Sequence, residues 1–277
     1  MVNGVTTKVP RPIDQEMAEH GAAGAVARRI LSRVGAAELI AISILILAVA
    51  STALAQSATT RVEGMNAYNR GDHARAHALL SQAAKAGDAE ALVNLGYLYT
   101  RGHGVSQNSM EGLRLYRQAA ARGSSEGMNA LGYRYDHGGD VTRDPDEAVR
   151  WYCAALALGN PRALNNLGIM VAFGRGVPVD LPEAVSLWEQ AAALGHASAM
   201  LNLGVLYLRP TELGRDMQRA FSWLQEAALL GQADAQALLR RLGHSGTFPA
   251  PVDHGLRMMP APQGVSGHST LCGAPIA

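Results

Sequence analysis

Lysine is almost missing from this chain. Of 277 residues only Lys8 and Lys85 are lysines, so any basic surface has to be built from arginine. No long Lys/Arg run occurs, the formal net charge is +1, and residues 61–243 hold 18 Arg plus Lys against 18 Asp plus Glu. Binding to a phosphate backbone needs a basic face, and this balance argues against nucleic acid as a partner. Cysteine is scarce too. Cys153 and Cys272 make at most one bridge, which rules out a disulfide framework, and neither has a CxxC partner for metal or redox work. Cys153 follows Trp151 and Tyr152 in a helical pattern and reads as a small apolar filler; a bridge to Cys272, in a Pro/Gly-rich tail, stays open.

Aromatic residues make up only 5% of the chain and no long alternating run occurs, which argues against a sheet-based core. The common catalytic motifs are missing as well. There is no G-x-S-x-G, no P-loop and no H-E-x-x-H, and GRGVPVD lacks the third glycine and preceding strand of a dinucleotide site. His73 and His77 stand at metal-ligand spacing, but without a third ligand they read as a solvated helix face. Asp146 and Glu147 suit a helix N-terminus. The chain is therefore expected to be non-catalytic, with no cofactor and no metal.

What it does contain is alanine, leucine and regularly placed glycine, with 48% apolar residues, enough to bury a core. The apolar material falls in two parts. Leu39 to Ala55, LIAISILILAVASTALA, carries no charge and follows Arg28, Arg29 and Arg33. Ala53-Leu54-Ala55 before Gln56 matches a small-residue cleavage site, so the run reads as a secretory signal or, uncleaved, as a short membrane anchor. Either way the positive flank stays cytoplasmic and the rest is exported, to the periplasm or the exterior. Met17 is an alternative start that would shorten the leader.

The second part repeats itself. Leu95-Gly96, Leu131-Gly132, Leu167-Gly168 and Leu203-Gly204 recur without a gap, and Gly123, Gly159, Gly195 and Gly231 keep the same register. Self-similarity at a fixed period of this length signals a solenoid. Each unit divides into two helices. In the first, Leu92, Leu95 and Tyr99 share a face, and Gly96 sits where a side chain would hold the partner helix away. The second opens at Asp144-Pro145, Asp180-Leu181-Pro182 or Asp216, an N-cap. Its buried stripe is Ala148, Trp151 and Ala155, then Ala184, Leu187 and Ala191. In the turn between the helices Asp140 replaces the second glycine of the third unit, counting the cap first, and Pro210 and Glu212 replace both in the last, so those turns should differ in shape.

The recurrence of Leu-Gly, Tyr, Gly-x-Gly-Val, Asp, Ala, Trp or Tyr, Ala-Ala and Gly over residues 89–231 resembles the Sel1-like repeat, a relative of the tetratricopeptide repeat. The resemblance implies an all-α, right-handed α-α superhelical solenoid of Sel1-like, TPR-like helix pairs. Residues 1–35 are then a cytoplasmic tail and 36–56 the signal or transmembrane helix. Residues 59–88, with Gly64, Gly71, Asp72, Ala76, Leu80 and Ala83, form a plain TPR-like capping unit. Four repeats fill 89–231, a terminal capping helix 232–243, and a disordered Pro/Gly-rich tail 244–277, in which Met258-Met259 is a candidate docking motif.

The resemblance also places first helices on the concave face, where a partner segment would lie. The partner-binding candidates there are Tyr97, Arg101, Asn129, Tyr133, Asp136, Asn165 and Phe173. Tyr97 and Tyr133 would act as aromatic anchors, Asn129 and Asn165 as amide hydrogen-bonding groups, and Arg101 as a carboxylate partner. Val93, Thr100, His137, Ile169, Leu201, Val205 and Arg209 share the face. Asn94, Asn166 and Asn202 recur too regularly to be partner-specific and read as backbone hydrogen-bonders, while Trp151, Trp188 and Trp223 read as packing residues. The expected partner is another protein of the envelope or membrane. The alternative is a cell-wall polymer or other carbohydrate stacked on Tyr97, Tyr133 and Phe173.

Overall fold

The computed structural model describes residues 36–139, 141–244 and 270–273. The expected leader 1–35, Asp140 and tail residues 245–269 and 274–277 lie outside the described residues. Contacts divide the chain into two compact units, Met1–Gln56 and Ser57–Ala277. The first helix, α1 (Ala36–Asn69), runs through the expected cleavage point after Ala55. Within the first unit Ile40, Ile42, Ile44, Leu45, Leu47 and Leu54 are exposed. Among the described residues, no helix is long and apolar enough to cross a membrane.

The second unit is all-helical among the described residues: a Sel1-type solenoid of consecutive helix pairs. Residues 57–69 of α1 pair with α2 (His73–Lys85) as the cap. The repeats follow as α3 (Ala89–Arg101) with α4 (Ser109–Ala121), and α5 (Ser125–His137) with α6 (Pro145–Ala157). Then come α7 (Pro161–Phe173) with α8 (Leu181–Ala193), α9 (Ala197–Leu208) with α10 (Met217–Leu229), and the closing helix α11 (Ala233–His244). The expected caps are in place. Asp144, Asp180 and Asp216 each accept the backbone N–H three residues on, so a free amide of every second helix in those repeats is satisfied.

Each pair is locked by a glycine on its first helix. A Cβ added at Gly132 would lie 2.6 Å from the Tyr152 ring, and one at Gly168 would lie 2.5 Å from Trp188 Nε1. Gly96 meets Tyr116 and Gly204 meets Leu224 in the same way. The buried knob is thus one residue beyond the position the sequence suggests. Trp151 and Trp223 are only half-buried, whereas Tyr152 is 1% exposed and Trp188 3%. Alanines of the stripe, Ala148, Ala155, Ala184 and Ala191, are fully buried beside these knobs.

The turns carry the contacts between units. At Gly104 and Gly176, both with positive φ, an added Cβ would strike the backbone of His73 and of Pro145, the first residues of the preceding second helices. The last repeat departs as expected: α9 is capped by Arg209 in extended conformation, where Gly102 and Gly174 cap α3 and α7 in the left-handed region. The tail departs from expectation. Thr270–Cys272 forms a single 3₁₀ turn, and Cys153 is bonded to Cys272.

Successive first helices touch one another, α3 with α5 and α5 with α7, while second helices make no comparable contact among the described residues. The side with closer helices is the inner side of the stack, which places first helices along its concave face.

Alanine at Gly168 gains about 1 kcal/mol of helix propensity but overpacks the Trp188 contact by about 1–3 kcal/mol. Gly168→Ala is therefore expected to lower the urea midpoint without raising the helical circular dichroism signal. A second outcome follows from His196, the N-cap of α9, which makes no side-chain cap bond where Asp88, Ser124 and Asn160 do so in the earlier repeats. Burial, with Arg162 adding and Glu126 opposing, holds its imidazole below the usual 6.5. The unfolded chain then takes up the proton first, so stability falls as pH drops through 6.5 toward the lower folded value. His196→Asn should add about 1 kcal/mol and flatten the fall in urea midpoint between about pH 7.5 and about pH 5.5.

Candidate partner-binding face

The first helices set their side chains in rows because each repeat returns the same helical register. One row holds Tyr97, Tyr133, Ile169 and Val205, and the next holds Arg101, His137, Phe173 and Arg209. Tyr97 is 39% exposed, Tyr133 45% and Phe173 62%, and Arg101 is exposed as well. These four of the seven expected residues are therefore available to a partner. Exposed aromatic rings on a rigid backbone are efficient anchors, since little side-chain entropy is lost on binding.

The rings are positioned by neighbours. Tyr133 stacks on His137 with centroids 4.0 Å apart, and Arg101 lies over the Tyr97 ring at 5.7 Å. Tyr97 also stands edge-on to Tyr68 at 6.0 Å. Behind it His73 and His103 stack at 5.0 Å, and Tyr68 Oη lies 3.0 Å from His103 Nδ1. His77 Nε2 lies 3.3 Å from Tyr99 Oη. The two histidines read as a solvated face are thus half-buried packing groups that tie the cap to the first repeat. Among the described residues no group of three or more His, Cys, Asp or Glu side chains is placed to hold a metal ion.

The other three expected residues, Asn129, Asn165 and Asp136, are buried. Asn202 Nδ2 donates to Asn165 Oδ1 at 2.9 Å, and Asn166 Nδ2 donates to Asn129 Oδ1 at 3.0 Å. Asn165 Nδ2 in turn reaches Asn166 Oδ1 at 3.4 Å, which closes an amide ladder across three repeats. Asn166 and Asn202 are therefore bonded to side chains of the preceding unit, a correction to their reading as backbone partners. The signal was present in the sequence as Asn at the position before Leu-Gly in one unit and one position earlier in the unit before it.

Asp136, 3% exposed, pairs with Arg175 of the following turn at 3.0 Å. Arg175 Nε is buried without an acceptor, so this is a charge contact of imperfect alignment. Burial, helped by Asp136 and opposed by Arg175, pushes the nearby Tyr152 phenol far above its usual range and keeps it neutral. Asp136 thus joins repeats instead of presenting a carboxylate to a partner.

The family model of the Sel1 repeat matches residues 67–88, 89–124, 125–160, 161–196 and 197–232. Among solved structures, the chain is similar to a Sel1 repeat protein from Oxalobacter formigenes, 29% identical, with 66% of this chain and 75% of that one covered and a TM-score of 0.59. It also shares the fold of Pseudomonas aeruginosa 5086, 24% identical, covering 70% and 74%, TM-score 0.53. The immunity protein Pa5087 from Pseudomonas aeruginosa is 22% identical, covering 65% and 70%, TM-score 0.52. None of the curated proteins compared matches this chain.

Removing the Asp136 charge should expose what the ion pair contributes. Asp136→Asn leaves the Arg175 guanidinium, whose side chain is 26% exposed, without its counter-charge. A loss of about 2–3 kcal/mol in urea unfolding is expected, with Asn129→Ala adding to it and neither change altering the exposed Tyr97, Tyr133 and Phe173.

Proposed function

The chain belongs to the Sel1 repeat family, and from that premise we propose that it is a scaffold or adaptor of the bacterial cell envelope that holds a segment of a partner protein. Sel1 repeat proteins generally mediate protein–protein interaction, and their fold is typically a non-catalytic scaffold. The partner segment lies along the first-helix face, with Tyr97, Tyr133 and Phe173 as anchors and Arg101 pairing with a carboxylate. The observation that carries this reading is the contrast on that face: aromatic rings are exposed while Asn129, Asn165 and Asp136 beneath them are bonded within the solenoid. A surface so braced binds with little reorganisation.

Export is supported by the apolar run Leu39–Ala55 behind Arg28, Arg29 and Arg33 and by the disulfide, a bond that persists in oxidising compartments. The envelope roles within this reading are assembly of a membrane complex or regulation of a membrane signalling receptor. Binding of a cell-wall polymer on the same rings is the second reading, because stacking surfaces serve sugars as well as peptides.

The test is crosslinking in intact cells with wild type and with Tyr133→Ala combined with Phe173→Ala. Both side chains are largely exposed, so helicity and thermal midpoint should stay within experimental error while one crosslinked protein drops at least about tenfold, a loss of roughly 1.4 kcal/mol. An unchanged set of crosslinked proteins contradicts the site. Sedimentation with purified wall that is lost in the double variant favours the polymer reading.

A further inference from the structure

Charge on the first-helix face does not balance as it does over the whole chain. Glu90, Glu126 and Asp136 are the acidic residues of α3, α5, α7 and α9, and each is engaged inside the solenoid. Glu90 Oε1 accepts from Ser124 Oγ at 2.7 Å, Glu126 pairs with Arg162 at 2.8 Å, and Asp136 pairs with Arg175 at 3.0 Å. Two arginines at the far ends of these helices are placed differently. Arg101 is the last residue of α3 and Arg209 caps α9, and both are exposed. No carboxylate among the described residues pairs with either, Glu212 of the α9–α10 turn included. Arg101 lies over the Tyr97 ring, a contact that fixes its guanidinium near the ring without satisfying its N–H donors.

Between the two arginines the same row is aromatic. His137 is stacked on Tyr133 and Phe173 is largely exposed, while Ile169 and Val205 beside them are half-buried. We infer that the segment held on this face is acidic at both ends and apolar in the middle, with one carboxylate on Arg101, another on Arg209 and an apolar side chain on Phe173. The inference rests on the first helices forming the binding face and adds what kind of chain they bind. A carboxylate meets a guanidinium through two parallel N–H···O bonds, so an Asp or Glu side chain is fixed in direction as well as attracted. A cationic segment would meet two unpaired charges of its own sign, and a neutral one would gain nothing from them. The two arginines also set a length. Helices packed side by side stand about 8–10 Å apart, so an extended segment of about ten residues spans the three steps from α3 to α9.

The test is fluorescence anisotropy of the purified full chain with a labelled peptide of about twelve residues, glutamates at both ends and leucine and tyrosine between. The same peptide with glutamine for glutamate serves as its comparison. The acidic peptide should bind at least about tenfold more tightly than the glutamine one. Arg101→Glu and Arg209→Glu should each weaken it about tenfold, and together about a hundredfold, since sites so far apart add. Raising the salt concentration should weaken the acidic peptide on wild type and have little effect on the doubly substituted chain. Both arginines are exposed, so helicity and thermal midpoint should not move. Equal affinity for the two peptides, with both lost in Tyr133→Ala combined with Phe173→Ala, overturns the acidic segment and leaves the binding face standing. No binding of the acidic peptide at about 1 mM overturns it as well. So does retention on immobilised polyuronic acid by a chain that ignores the peptide, which would assign the arginines to an anionic polysaccharide.

Discussion

Every repeat of this protein depends on one steric relation: a glycine on the first helix leaves a hole, and a bulky residue on the second helix fills it. The relation recurs as Gly96 with Tyr116, Gly132 with Tyr152, Gly168 with Trp188 and Gly204 with Leu224. A helical glycine costs about 1 kcal/mol relative to alanine, and burying a large apolar side chain contributes about 1.5–3 kcal/mol. The exchange is favourable, and it fixes the distance between the two helices at a value no side chain at the glycine would allow. Because the same relation recurs in each unit, the inner face repeats in register.

The proposed function rests on what this register does not use. The core and its knobs take the residues on one side of each first helix, the amide ladder takes Asn129, Asn165, Asn166 and Asn202, and Asp136 is taken by Arg175. Tyr97 and Tyr133 in one row and Phe173 in the next take no part in these bonds and stay exposed. A solenoid can vary such residues freely, since each unit's stability comes from its own pair and its nearest neighbours. Membership of a family that generally mediates protein–protein interaction and these braced, exposed rings are the two supports of the proposed binding role.

Much of this was legible in the sequence because it is written in period. Repeat boundaries, the Asp144, Asp180 and Asp216 caps and the close approach at Gly96 all follow from residues recurring at fixed offsets. What periodicity could not reveal were relations between unlike residues. The amide ladder pairs one position with its neighbour in the next unit; the Asp136–Arg175 pair joins a helix to a turn; and the Cys153–Cys272 bond reaches outside the repeats altogether. Nor does helical spacing alone separate Trp151 from Tyr152 as the knob, because adjacent residues differ by only a fraction of a turn and the choice is made by which one faces the glycine.

The central claim is that glycine and knob are one energetic unit, and a double-mutant cycle tests it most directly. Gly132→Ala, Tyr152→Ala and the double variant would be unfolded in urea beside wild type. If the added Cβ is costly only because the Tyr152 ring is there, the shorter side chain relieves it. The double variant should then be more stable than the summed single losses imply, by about 1 kcal/mol or more. Losses that simply add, to within about 0.3 kcal/mol, would mean the two residues do not sense each other, and the account of how the repeats are spaced would be wrong.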